Sequence, residues 1–190
     1  MGKSDLRQFD YQKVAKLDTA MWRAYYNHQF IKLFLLLMQI MRTQLHLNWF
    51  TTTRLAYHSS RAAINYRRKK GHEDYPQVLR NLTKYYKILS RNSKAAFNYK
   101  EAARLELEWW DIHRYPKKYK KSLETSLAES AAVIYGVKPV SLADYAKWRA
   151  EAMMIPNHEG DSQKIKPDWK KIERLLISSW RSLHISVQLL

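Results

Sequence analysis

Residues 30–41 read FIKLFLLLMQIM, the only intensely apolar run in the chain. At 12 residues, with Lys32 and Gln39 inside it, the run falls short of the roughly 20 residues a helix needs to cross a bilayer. It is therefore read as a buried core helix. Apolar side chains nearly all round such a segment are what a helix enclosed by others requires.

Upstream, Asp10 is a good N-cap, and Val14, Leu17, Met21 and Tyr25 recur at the spacing of one helical face. That helix could continue through the apolar run to about Leu47. A continuous helix of this length would measure about 55 Å, too long for a small globule. A break is expected near Asn27–Gln29 or near Asn48.

Downstream, a second helix is expected from about Asn48 to Lys70, with basic residues in its last turn and Gly71 just beyond. Further helices are expected from Tyr75–Pro76 to Asn92, from about Ser93 to Arg114, and from beyond Pro116 to Gly136. Ser141 and Asp144 suggest a capping box for the next one, which ends before Pro156. Residues 157–166, NHEGDSQKIK, read as a loop, and a final helix starts at Pro167–Asp168.

With only four Gly and five Pro in 190 residues, the chain has few breaks for a many-stranded sheet. The expected fold is all-α: one compact, bundle-like domain of six or seven helices over residues 10–190. It has a long N-terminal helix and a central apolar segment, and residues 1–9 form a polar tail that lacks the apolar core of a secretory signal.

One internal similarity stands out. Asp10-Tyr11-x-Lys13-Val14-x-x-Leu17 with Trp22-Arg23 aligns, at constant offset, with Asp168-Trp169-x-Lys171-Ile172-x-x-Leu175 with Trp180-Arg181. Two helices with the same cap chemistry explain this; a duplicated pair around a pseudo-two-fold axis is the other reading.

The net charge is +17, and residues 1–70 hold 13 basic side chains against 3 acidic ones. Such an excess attracts anionic partners and says nothing of fold. Three clusters stand out. The first is Arg61, Arg67, Arg68, Lys69 and Lys70. The second is Lys117, Lys118, Lys120 and Lys121, flanked by Tyr115 and Tyr119. The third is Lys164, Lys166, Lys170 and Lys171. Cations with interleaved aromatics can hold a phosphate backbone and stack on unpaired bases.

Enzymatic signatures are missing. The chain has no Cys, so it offers no thiol nucleophile or thiolate metal site. None of its seven His has Glu three residues before it, and no two His lie three to five apart, so the helical carboxylate–histidine and zinc patterns are absent. No Gly-rich phosphate loop or nucleophile elbow occurs. No catalytic residue, metal or cofactor is implied. The most unusual segment is EAARLELEWWDIHR, where Glu101, Arg104, Glu108, Trp109, Trp110 and His113 could wall a ligand pocket. A salt-bridged helix with large core residues explains the same pattern.

Ala20-Met21-Trp22-Arg23-Ala24-Tyr25-Tyr26 and Ala102 through Arg114 resemble pieces of an uncharacterised bacterial family of helical proteins. Ile134-Tyr135-Gly136-Val137, Arg149-Ala150-Glu151-Ala152-Met153 and Asp168-Trp169 fit the same resemblance, which spans most of the chain. It implies a single evolved unit and no particular activity.

The leading expectation is a non-enzymatic binding protein for an anionic partner, nucleic acid foremost, in the cytoplasm. Two alternatives stay open. One is a helical-bundle enzyme or carrier with a metal or small ligand between helices. The other is a scaffold at an anionic membrane surface, or one that assembles with a protein partner or with itself.

Overall fold

Asn27, His28 and Gln29 interrupt the expected N-terminal helix and divide it into α1 (Tyr11–Tyr26) and α2 (Phe30–Leu45). A computed structural model describes residues 3–67, 70–155 and 167–189. His28 adopts the left-handed conformation, with φ 58°, which costs an L-residue roughly 1–2 kcal/mol. The Arg67 guanidinium donates to its ring at 2.6 Å. The chain leaves α2 through a second left-handed residue, His46 (φ 49°), and Asn48 caps α3 (Trp49–Tyr66) by accepting from the Thr51 N–H at 2.8 Å.

The remaining helices are α4 (Tyr75–Asn92), α5 (Tyr99–Arg114), α6 (Leu123–Tyr135), α7 (Ala143–Met154) and α8 (Trp169–Gln188). Short 3-10 turns at Pro116–Lys118 and Pro139–Leu142 precede α6 and α7. Most starts have the chemistry a helix N-terminus needs: Asp10, Asp74, Asn98, Ser122 and Asp168 each accept from a first-turn N–H. The class is all-α, with eight helices among the described residues rather than six or seven.

Two expected boundaries move. Ser93 does not open α5: it pairs with Ser4, and Asn98 provides the cap. Ser141 does not cap α7 either. Its N–H is already committed to Lys138 O at 3.0 Å within the 3-10 turn, and α7 starts without a side-chain cap. The expected loop at 157–166 lies outside the described residues.

Each helix packs on the next in the chain, and α8 returns to pack on α1, closing a ring. The N-terminal segment straps one end of that ring. Ser4 N–H donates to Asn92 O at 2.7 Å, Lys94 N–H to Ser4 O at 2.8 Å, and Arg7 to Tyr135 O at 3.1 Å. Residues 4–9 are thus part of the fold rather than a free tail, and Leu6 and Phe9 are buried.

The apolar run is not the centre. Leu33, Met38, Ile40 and Met41 are buried, while Phe30, Ile31 and Leu35 are exposed. Helix α2 packs chiefly on α1 and α3 and reaches α6 through Gln44, which donates to the Tyr135 hydroxyl at 2.8 Å, so only part of its circumference is covered. The interior is supplied mainly by α8, which buries Ile172, Leu176, Trp180, Leu183 and Val187, and by the small-residue face of α6. The two similar segments fall on α1 and α8, which pack together. Their aligned tryptophans, Trp22 and Trp180, both lie against the Arg149 guanidinium, at 5.4 and 5.6 Å.

Candidate functional site

Two of the basic clusters meet at one end of the ring, between the α3–α4 and α5–α6 connections. Tyr115 is the meeting point. Its hydroxyl accepts from the Gly71 N–H at 2.8 Å and donates to the Glu73 carboxylate. Lys70 and Lys118 both lie against its ring, at 4.8 and 5.9 Å. Gly71 turns the chain here with φ 86°, a conformation that favours Gly. Arg114 pairs with Glu73 at 3.0 Å and donates to Tyr66 O. At the same end Arg67 lies over Tyr25 and Phe30, at 5.3 and 5.5 Å.

The third cluster reaches this end in part. Trp169, the first residue of α8, lies 6.2 Å from Tyr26 at the end of α1, which brings Lys170 and Lys171 to the same end of the bundle. Lys171 approaches Glu151 at 3.6 Å. Arg68, Lys69, Lys164 and Lys166 lie outside the described residues.

The cations differ in how committed they are. Lys118 pairs with Asp111 at 3.3 Å, and Lys121 joins Glu108 and Glu129. Arg61, Lys117 and Lys120 are exposed, and no ion pair holds them among the described residues; Lys70 is exposed with only the Tyr115 ring beside it. These four are the uncommitted cations of the first two clusters, with Arg61 on the exposed stripe of α3.

Asp111 anchors this end from within. The Tyr66, Tyr75 and Tyr119 hydroxyls and Lys118 all donate to it. Burial raises its pKa, but the tyrosine and lysine donors outweigh that and hold it below the usual carboxylate range. The segment Tyr115–Tyr119 is thereby fixed to α5, and its lysines are displayed from a rigid turn.

The residues of α5 singled out from sequence separate into two groups. Arg104 pairs with Glu101 at 2.7 Å and with Glu108 at 2.6 Å on the outer face. His113 turns the other way, its Nε2 lying 3.2 Å from Met153 O, and burial holds its pKa below the usual range. Trp109 and Trp110 face inward and lie 6.0 Å apart. The structure therefore does not gather these six residues around one pocket.

The inward group is organised by a residue the sequence reading passed over. Glu106 accepts from Trp109 Nε1 at 2.8 Å, Trp110 Nε1 at 3.0 Å and the Tyr86 hydroxyl at 3.1 Å. Adjacent tryptophans diverge by about 100°, but positions i+3 and i+4 lie on either side of residue i. Both indoles therefore reach the same carboxylate. Burial outweighs these donors and raises the Glu106 pKa. Nearby, Arg149 pairs with Asp18 at 2.9 Å, and Trp180 Nε1 donates to the same Asp18 oxygen at 2.8 Å.

This interior joins α1, α4, α5, α7 and α8 through the hydrogen bonds to Glu106 and Asp18, with the Arg149 guanidinium near the Trp22 and Trp180 rings. Among the described residues no group of His, Asp and Glu is placed to hold a metal ion. In comparisons with protein families, curated proteins and solved structures, nothing matches this chain.

Proposed function

We propose that the protein is a non-enzymatic binder of nucleic acid that uses the basic loop end of the ring. The observation that carries this reading is the junction at Tyr115. Lys70 and Lys118, 48 positions apart in sequence, share one ring, with Lys117 and Lys120 exposed nearby in the α5–α6 connection. Clusters that were separate in the sequence thus combine into one positive surface.

The chemistry suits phosphate. Mobile lysine ammoniums on a fixed turn neutralise backbone charges without demanding a base sequence. Arg67, with Tyr25 and Phe30, adds planar groups on which an unpaired base could stack. The sequence carries no helix-turn-helix or zinc-finger module, so the reading is of backbone binding with little sequence preference.

Fluorescence anisotropy with a labelled single-stranded oligonucleotide, titrated at several salt concentrations, tests it. Four engaged cations give a log–log salt slope of about −3. Combined reversal at Lys70→Glu, Lys117→Glu and Lys120→Glu should flatten that slope and weaken binding roughly a hundredfold or more at low salt. A salt-independent affinity, or one the triple reversal leaves untouched, sinks the reading.

A further inference from the structure

A different face, formed by α2 and α3, presents apolar side chains to solvent. Ile31 is 83% exposed and Leu35 58%, and on α3 Phe50 is 74% and Trp49 62% exposed. Along α3 the exposed positions Phe50, Arg54, Tyr57, Arg61 and Ile64 recur every three or four residues, a single stripe in which apolar groups alternate with arginine.

Three arginines lie on aromatic rings at this face. Arg42 sits 4.3 Å from the Trp49 ring centroid, Arg54 5.8 Å from Phe50, and Arg67 5.5 Å from Phe30. The first and last of these contacts join α2 to α3 at opposite ends of the hairpin, so the two exposed stripes border each other along its length.

The charge of this region has one sign. From Thr19 to His72 the sequence contains no Asp or Glu. Lys32, Arg42, Arg54 and Arg61 are exposed, and none of them has an ion pair among the described residues. No helix among the described residues is long and apolar enough to cross a membrane. An apolar stripe with aromatic and arginine neighbours and exclusively positive charge is the composition of a surface that lies along a bilayer and not through it.

We propose that the α2–α3 face docks the protein on the surface of an anionic phospholipid bilayer. Ile31, Leu35 and Phe50 enter the boundary between headgroups and acyl chains. Trp49 lies at headgroup level, and Arg42, Arg54 and Arg61 meet lipid phosphates. The charge selects this occupant. A second copy of the chain, packed face to face, would set cations against cations. A nucleic acid backbone would satisfy the arginines and leave Ile31 and Leu35 in water. This face holds Arg61 of the first basic cluster and borders Arg67 of the polyanion end, whereas Ile31, Leu35, Phe50 and Arg54 belong to neither, so the serine variant and Arg54→Glu test the docking independently of the Tyr115 surface.

Co-sedimentation of the full chain with vesicles of phosphatidylcholine alone, or mixed with phosphatidylglycerol, tests the docking. Binding is expected only to the mixed vesicles. Ile31→Ser, Leu35→Ser and Phe50→Ser combined should weaken it about tenfold or more, and Arg54→Glu or Arg61→Glu about fivefold or more each. Circular dichroism checks that the variants remain helical; should the serine variant unfold, Arg54→Glu carries the test. Equal binding to neutral vesicles, no binding to either, or full binding by both sets of variants overturns the proposal. So does a dimer in sedimentation velocity that the serine variant dissolves while wild-type protein ignores vesicles, which would assign the face to a second copy.

Discussion

The interior around Glu106 and Arg149 and the outer face of α2–α3 treat polar and apolar groups in opposite ways. In the interior, acids and an arginine leave water, and each is met by donors or by an opposite charge. Asp18 takes Arg149 and the Trp180 N–H, and Glu106 takes two indoles and a tyrosine. On α2–α3, large apolar side chains stay in water and the arginines have no acids. The first pattern couples five helices to one another. The second contributes little to the folded state and leaves binding capacity at the surface. Substitutions should therefore separate stability from binding according to which region they touch.

The largest effect belongs to Asp18→Ala. It removes the partner of a buried guanidinium and leaves both Arg149 and the Trp180 N–H unsatisfied, and such a loss typically costs about 3–5 kcal/mol. Urea unfolding should show it as a lower midpoint at constant slope. The paired change Asp18→Leu with Arg149→Met, which removes both charges, should recover most of that cost. If the single substitution costs no more than an average surface change, the buried pair does not hold α1 to α7.

Glu106→Gln comes next, at about 1–3 kcal/mol, because the amide offers one acceptor oxygen where two indoles and a tyrosine donate. Its pH dependence has a defined sign. The folded-state pKa of Glu106 is raised, above an unfolded value of about 4.3. The wild-type contribution is therefore fully present below about pH 4 and falls as pH rises through the folded pKa. The gap between wild type and variant should be widest near pH 4 and narrow toward neutrality. Asp111 runs the other way. Its lowered pKa gives stability that is present above the unfolded value of about 3.9 and lost as pH falls through the folded one. A gap that widens with rising pH would contradict the raised pKa of Glu106.

How much of this was readable beforehand follows from how far apart the partners are. Caps at Asp10, Asn48 and Asp168, the break at Asn27–Gln29 and the Tyr75–Asn92 helix are local and could be read from adjacent residues. The Glu101–Arg104–Glu108 pairs were also local, at i+3 and i+4. Glu106 carried the same kind of signal, with both tryptophans at those spacings, and could have been found by asking which acid the indoles face. Asp18 and Arg149 are 131 positions apart, and nothing near either one announces the other. The misplacement of residues 30–41 has a further cause. A helix that is apolar nearly all round fits a core centre or an edge with an uncovered face, and composition alone does not separate the two. The convergence of Lys70 and Lys118 on Tyr115 likewise depends on how α3, α4 and α5 pack.

Arg104→Ala tests the outer face of α5. Its pairs with Glu101 and Glu108 are solvent-exposed, and exposed pairs are worth about 0–1 kcal/mol. Loss of Arg104 should shift thermal unfolding by no more than a few degrees, and added salt should shrink the difference. A cost approaching that of Asp18→Ala would mean that the ladder with Lys121 and Glu129 carries the α5–α6 contact as a network.

The smallest stability change is expected where the binding effect is greatest. Ile31→Ser and Phe50→Ser remove side chains that are mostly in water already, so each should change unfolding free energy by no more than about 0.5 kcal/mol. Measured by urea titration beside vesicle co-sedimentation, the two variants divide the possibilities cleanly. Unchanged stability with weakened vesicle binding places the function of these side chains outside the fold. A cost above about 2 kcal/mol would mean that the α2–α3 face is covered by this same chain in solution, and the contrast with the Glu106 interior would lose its basis.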